Sequence, residues 1–292
     1  MDPEDGDGGF VYRGLMVLLL TTLLWGSSFP VIKFVVAEIS EFTYVWFRSL
    51  VALAGLTPYT LYMVFKKRLD RKVVVGGFIT GIVYAVGLWL QGWGTKYTTA
   101  SNSAFITGLN VVFIHLYSML LVRRYSRRLA TSLASAITGL YLLTKPVSGF
   151  GLGESLVLAS AFFWAIQIIL IDRYCGGDPL LFTYFEMMPA LIFAAPSLYN
   201  GSVEIPHDVR LIALIYLGLV CSDAAFALQV YGQKFVEAAV AGIIFLFEPV
   251  FATFMSWLIL GEALKPLQII GASLMLLSLF LSSKDSAKKR IT

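Results

Sequence analysis

Apolar residues run along this chain in blocks of about twenty, and the polar or Gly/Pro-rich breaks between blocks are short. A helix of about 20 apolar residues crosses the hydrocarbon core of a bilayer. The blocks predict ten spanning helices, near residues 14–36, 42–65, 73–95, 99–121, 128–146, 152–172, 180–199, 209–234, 238–260 and 266–283. Gly149-Phe150-Gly151-Leu152-Gly153 joins the fifth to the sixth, and Asn200-Gly201-Ser202 with Pro206 marks another turn.

The two sets of five read as copies. Gln91-Gly92-Trp93-Gly94-Thr95-Lys96-Tyr97 returns as Gln229-Val230-Tyr231-Gly232-Gln233-Lys234-Phe235. The register then holds through the next span: Ala100 with Ala238, Phe113 with Phe251, Ser118 with Ser256, Leu120 with Leu258. Five is odd, so the second copy must enter the membrane from the opposite side. The expected fold is an all-α membrane protein, ten transmembrane helices in two inverted five-helix repeats, 14–146 and 152–283. Inverted repeats of this kind build secondary transporters, with the binding site near the midplane. Residues 1–13, acidic and Gly-rich at their start, are expected to form a disordered tail without the basic start of a signal peptide. Residues 284–292 form a basic tail.

Composition sharpens this picture. The chain is 58% hydrophobic and 14% charged, against about 25% charged in soluble domains. Its formal net charge of +4 sits in short loops rather than on one folded face, which argues against nucleic acid as a partner. Basic clusters follow the second and fourth blocks: Lys66, Lys67, Arg68, Arg71 and Lys72, then Arg123, Arg124, Arg127 and Arg128. Cationic loops resist translocation. The expectation is a multi-pass protein of the cell membrane with both termini cytoplasmic. Cys175 and Cys221 do not suggest a disulfide, and two histidines cannot make a multi-histidine metal site. No cofactor is expected, and no phosphate-binding Walker loop suggests ATP drive.

A charge at mid-bilayer costs roughly 2.5–3.5 kcal/mol even on the lenient insertion scale, so polar residues inside the blocks need a reason. Glu248 lies near the middle of the ninth block and is followed by Pro249; Asp223 lies near the middle of the eighth. Each is a candidate for binding a proton or a cationic substrate group, or is a buried, hydrogen-bonded acid. Pro249 removes a backbone donor and frees the carbonyl of Phe245, and open backbone at that depth needs protein or water beside it. Ser103, Thr107 and Asn110 share one helix face, and their repeat counterparts are Ala241, Phe245 and Glu248. Gln91 pairs with Gln229, Trp25 with Trp164, and Ser28 with Gln167. These pairs are candidate substrate-binding or coupling positions, although small polar residues also glue lipid helices together. Arg48 and Glu186 read as snorkelling residues or a helix–helix ion pair. His115, in the fourth block, could titrate but reads as a neutral, hydrogen-bonded packing residue.

These residues resemble a known family. Leu24-Trp25-Gly26-Ser27-Ser28-Phe29-Pro30, Phe47-Arg48 and Leu90-Gln91 are similar to the EamA family of the drug/metabolite transporter superfamily. So are Tyr97 to Asn102, Phe105-Ile106-Thr107-Gly108-Leu109, Asp223 to Gln229, Phe247-Glu248-Pro249-Val250-Phe251-Ala252 and Leu260-Gly261-Glu262. The resemblance implies ten-helix carriers of small metabolites, often amino acids or related compounds and usually exported, with the cavity between the halves. One departure stands out: His115 occupies a place where the family tends to carry proline, and Val111 stands opposite Pro249. The fourth span therefore lacks the ninth span's reason to bend, and the departure makes His115 a candidate for helping to define the substrate.

The leading expectation is a secondary transporter whose halves rock around a fixed midplane site, with Glu248 first and Asp223 second for coupling. An intramembrane enzyme using Asp223 and Glu248, or a channel or scaffold, is the alternative. Expected partners are a small-molecule substrate and the lipid bilayer. The proton is the candidate coupling ion, and a homodimer is the candidate assembly.

Overall fold

A computed structural model of the protein describes residues 4–122, 126–144, 151–201, 203, 205–251 and 266–288. Arg123, Arg124, most of the linker between the halves, residues 252–260 of the ninth expected span, the Leu260-Gly261-Glu262 motif and the last four residues lie outside the described residues. Helices follow each other in the order α1 (Glu4–Gly26), α2 (Ser28–Val36), α3 (Glu41–Phe65), α4 (Arg71–Tyr97), α5 (Ala100–Gly108), α6 (Asn110–Tyr117) and α7 (Arg127–Thr144). The second half holds α8 (Leu152–Tyr174), α9 (Pro179–Met187), α10 (Ala195–Tyr199), α11 (Asp208–Gly218), α12 (Ala225–Gln233), α13 (Ala238–Phe245) and α14 (Pro266–Lys288). No strand occurs among the described residues.

Among the described residues six stretches are long and apolar enough to cross a membrane: Gly9–Val36, Arg71–Tyr97, Ala100–Leu121, Leu152–Tyr174, Pro179–Tyr199 and Asp208–Gln233. Two shorter apolar helices, Ala238–Phe251 and Pro266–Ser278, follow. The second and fifth blocks are also helical, as α3 and α7, but are less apolar. Glu41, Tyr44, Arg48, Tyr59 and Tyr62 dilute α3, and Arg127, Arg128 and hydroxyl residues dilute α7. Large apolar side chains such as Phe65, Leu121, Ile192 and Leu198 stand out on the surface. Apolar surface this extensive calls for lipid rather than water around it.

Local chemistry starts the helices where the blocks begin. Ser40 accepts from the Thr43 amide, Asp70 from Lys72, Thr99 from Asn102 and Asp178 from Leu181, at 2.8–3.1 Å. Each satisfies one of the amide donors a helix start leaves open. At the chain start the structure departs from the expected tail, because α1 begins at Glu4. Packing holds the chain from Phe10 onward: Phe10 stacks on Phe235 at 5.9 Å, Val11 is buried, and Arg13 lies over the Tyr231 ring at 5.2 Å.

Two close helix crossings organise the bundle, and the repeat relates them. A Cβ on Gly94 of α4 would fall 2.7 Å from the Gly153 carbonyl oxygen of α8. The related pair is Gly232 of α12 and Gly14 of α1, where a Cβ on Gly14 would meet the Gly232 oxygen at 3.1 Å. Only glycine allows backbones this close. The first span of each half is thereby pressed against the third span of the other, and the core between them carries the cavity.

Candidate functional site

The cavity forms where helices break. The first span breaks at Ser27, between α1 and α2. Ser27 and Ser28 donate back to the carbonyls of Leu24 and Trp25 at 2.6 and 2.7 Å, a contact that competes with regular helix. Pro30 adds a missing amide donor. The fourth span breaks at Leu109, and the ninth turns at Leu246 and Phe247 before becoming helical again over 248–251. Leu109 and Leu246 have nearly the same backbone angles, φ −67°, ψ −5° and φ −64°, ψ −7°. The fourth span thus bends as the ninth does, without a proline to match Pro249. Glycine accounts for it: Gly108, a poor helix former, ends α5 at that point.

Asn110 and Glu248 are the first residues after these related breaks, so both reach the interior from a fresh helix start. Trp25, Ser28, Gln91, Thr107 and Asn110 of the first half line one cavity with Trp164, Gln167 and Glu248 of the second. Glu248 is 7% exposed, and among the described residues no side chain hydrogen-bonds to it. Gln91 Nε2 donates to Thr107 Oγ1 at 3.1 Å, and Asn110 Oδ1 is buried without a partner. The cavity offers about 40 Å³ to the centres of water molecules, room for about three of them.

Three sequence candidates lie outside that lining. Gln229 stands directly behind Gln167, and the two exchange hydrogen bonds at 3.0 and 3.1 Å. Asp223 sits in a π-helical turn (Leu219–Ala224) and presses on α3, where a Cβ on Gly55 would meet its Oδ2 at 2.5 Å. His115 is buried with Nδ1 2.8 Å from the Val111 carbonyl of its own helix.

Arg48 and Glu186 do not snorkel, which corrects the expectation from their depth. Arg48 is 3% exposed and lines the cavity; Glu186 is fully buried. They lie 138 positions apart, the spacing that also separates Gln91 from Gln229 and Asn110 from Glu248. Neutral groups hold each one inside. Arg48 donates to Ser222 Oγ, Tyr44 Oη and the Cys221 carbonyl at 2.8, 2.7 and 3.3 Å. Glu186 Oε1 accepts from Gln167 Nε2 at 2.7 Å, and its Oε2 has no partner. Among the described residues neither forms a salt bridge.

The π-helical turn explains part of this arrangement. Such a turn displaces the usual backbone pairing, and here the Cys221 carbonyl accepts from Trp25 Nε1 at 3.1 Å as well as from Arg48. One oxygen thus ties the first, second and eighth spans together. Sequence reasoning missed the apolar walls: Phe29, Ile32, Leu88, Ile168 and Phe226. Repeat spacing was the available signal, since Leu88 and Phe226 lie 138 apart and Phe29 and Ile168 lie 139 apart.

Comparison with known proteins places these features. The profile of the EamA-like transporter family matches twice, over residues 12–145 and 151–284. The chain belongs to the EamA-like transporter family. Each match covers one of the two repeats read from the sequence. An uncharacterized transporter of Archaeoglobus fulgidus is 30% identical over 269 residues, 91% of this chain and 84% of that one. A biotin transporter of Salmonella typhimurium is 25% identical over 240 residues, 78% of this chain and 79% of that one. A solved structure titled "Crystal structure of protein" matches with a TM-score of 0.73 at 15% identity, over 93% of this chain and 98% of that chain, a likeness of fold alone. Family and relatives make this EamA member a multi-pass membrane transporter of small molecules rather than an enzyme. The intramembrane acid–base pair is set aside on that ground.

Proposed function

We propose that this EamA-family transporter is a secondary carrier of small metabolites, built as ten spans in two inverted five-helix repeats. It works by alternating access around the cavity between the repeats. The observation that carries the reading is the lining itself: repeat-related residues of both halves, polar groups set among apolar and aromatic ones, converge on one small cavity at three helix breaks. Rocking the halves apart would enlarge that space toward one side at a time. Basic loops support cytoplasmic termini in the cell membrane. Amino acids and related compounds, moved outward, are the substrates the family resemblance suggests. The Salmonella relative adds biotin as a compound to try.

Glu248 is the first candidate for coupling to the proton or for holding a substrate amine, because it lines the cavity without a partner. Asp223 comes second, since it faces α3 rather than the cavity. A metabolite panel scored by thermal stabilisation of the purified protein selects the substrate, because a ligand stabilises the state it binds. Proteoliposomes preloaded with that compound should then show saturable counterflow. Flux that neither saturates nor exchanges would mean a channel. In the same vesicles Glu248→Gln should abolish accumulation driven by an imposed pH gradient; undiminished accumulation would remove Glu248 from coupling.

A further inference from the structure

The cavity holds a guanidinium with donors to spare. Arginine presents five N–H groups in a planar fork. Three of those on Arg48 are engaged, one each from Nε, Nη1 and Nη2, and every acceptor is neutral: Ser222 Oγ, Tyr44 Oη and the Cys221 carbonyl. One N–H on each Nη nitrogen is left without an acceptor. The side chain is 3% exposed and forms part of the cavity wall. A buried cation that lacks a counter-charge is costly, and an anion brought against it recovers much of that cost.

The surrounding groups hold the fork still. Tyr44 is fully buried, and its ring lies so close to Gly92 that a Cβ there would fall 2.6 Å from it. The Cys221 carbonyl is fixed by its second bond, from Trp25 Nε1. Beyond the fork the wall is aromatic. Trp25 packs on Phe226 at 4.9 Å, and Trp164 lies 6.0 Å from the same ring. The cavity also carries the unpartnered Asn110 Oδ1, which can take an N–H or O–H from a bound molecule. Glu248, from the other half, repels an anion and leaves Arg48 as its one attractive charge in the lining.

We propose that Arg48 docks a carboxylate of the transported molecule, whose apolar, ring-containing body lies against Trp25, Trp164 and Phe226. This rests on the transporter reading above and narrows its substrate class to organic acids with a flat apolar body, including those that also carry an amine. Two N–H groups on adjacent nitrogens suit the two oxygens of a carboxylate. A small inorganic anion would share the charge but not the wall.

The test uses the purified full-length chain in detergent, in buffer free of competing anions. Thermal stabilisation is measured with 3-phenylpropionate and indole-3-acetate, with the primary amide of each, with phenethylamine, and with chloride. The acids should bind at least ~10-fold more tightly than their amides, the gain typical of a charge-assisted hydrogen bond, and more tightly than chloride or phenethylamine. Arg48→Gln should remove that preference, and Arg48→Lys should keep part of it. Amides that bind as well as acids, an amine that binds better, chloride binding that needs no ring, acids that fail to bind, or an Arg48→Gln protein with unchanged acid preference would each overturn the proposal. Should Arg48→Gln fail to fold, the acid–amide comparison on the unaltered protein decides alone. Acid binding without counterflow in proteoliposomes would sink the transporter reading and leave this site standing. Counterflow of neutral or cationic compounds without acid binding would do the reverse.

Discussion

Replacing Gln167 by leucine tests whether the buried amide cluster is a working part of the fold. Gln167 joins Glu186 and Gln229 through three hydrogen bonds, at 2.7, 3.0 and 3.1 Å. Leucine is of comparable volume, one bond shorter and without a polar atom, so most of the packing is kept while all three bonds go. Interhelical hydrogen bonds in membranes average about 0.6 kcal/mol each, so the bonds alone amount to roughly 2 kcal/mol. The groups left behind raise that figure. Both Glu186 and Gln229 are fully buried, and Glu186 Oε2 already lacks a partner. A buried polar group stripped of its bond costs about 1–3 kcal/mol, reduced here because the cavity beside Gln167 can lend a water. The expected loss is about 2–4 kcal/mol, read from reversible unfolding in mixed micelles by tryptophan fluorescence. Gln167→Leu combined with Glu186→Leu should lose less than the two single changes added together, by about 1 kcal/mol or more, because the second change removes an orphan the first created. A single variant within about 0.5 kcal/mol of the parent, or strictly additive losses, would refute the reasoning.

The remaining predictions concern coupling, packing and access. Glu186→Gln should spare counterflow but weaken pH-driven accumulation if this acid serves the cycle through Gln167; equal loss of both modes would assign it to structure. Gly94→Val should cost about 1–3 kcal/mol by overpacking, because backbone atoms of Gly153 and Val157 leave its side chain no room, whereas Gly176→Ala, which meets open space, should leave the melting temperature unchanged. Gly55→Ala should destabilise by pushing on Asp223 and Leu219, and Asp223→Ala should relieve part of that loss. Cys175 lies just past α8, where burial, helped by Asp172, pushes its thiol up to about 11. Maleimide labelling should be slow at neutral pH and should quicken as pH approaches that value; fast labelling at neutral pH would contradict its buried position.

Much of the cavity was legible because the sequence is written twice. Pairing by offset picked out Trp25 with Trp164, Ser28 with Gln167 and Asn110 with Glu248, and all six line the same space. The method failed where it was not carried through. Arg48 and Glu186 obey the same spacing, yet distance from the block ends suggested snorkelling. Depth along a helix says nothing about which side a residue faces, and these two face inward toward Ser222 and Gln167. Asp223 shows the opposite error. Its mid-block position is as deep as that of Glu248, but the π-helical turn rotates it toward Gly55. A one-residue bulge of that kind leaves no mark in hydrophobic periodicity. The bend of the fourth span was hidden for a similar reason, since Gly108 among many packing glycines carries no label of its own.

The repeat also explains why the two halves are alike in shape and unlike in chemistry. Related breaks put Asn110 and Glu248 at equivalent places, so geometry is shared. Their side chains differ: a neutral amide on one side, a carboxyl on the other. Arg48 and Glu186 repeat the contrast with full opposite charges at stake. Two identical half-sites would offer a molecule two equivalent poses. Substitution at related positions removes that degeneracy, because an anionic group gains at Arg48 and loses at Glu248. In the proposed carrier, the backbone symmetry would serve the exchange between two conformations, and the departures from it in side chains would give the cargo one orientation. A variant that restores the symmetry at this pair, Glu248→Asn opposite Asn110, should therefore keep the fold and strengthen the preference for an acid over its amide, because the repelling carboxyl is gone and Arg48 remains. Unchanged discrimination in that variant would mean that Arg48 alone sets the pose.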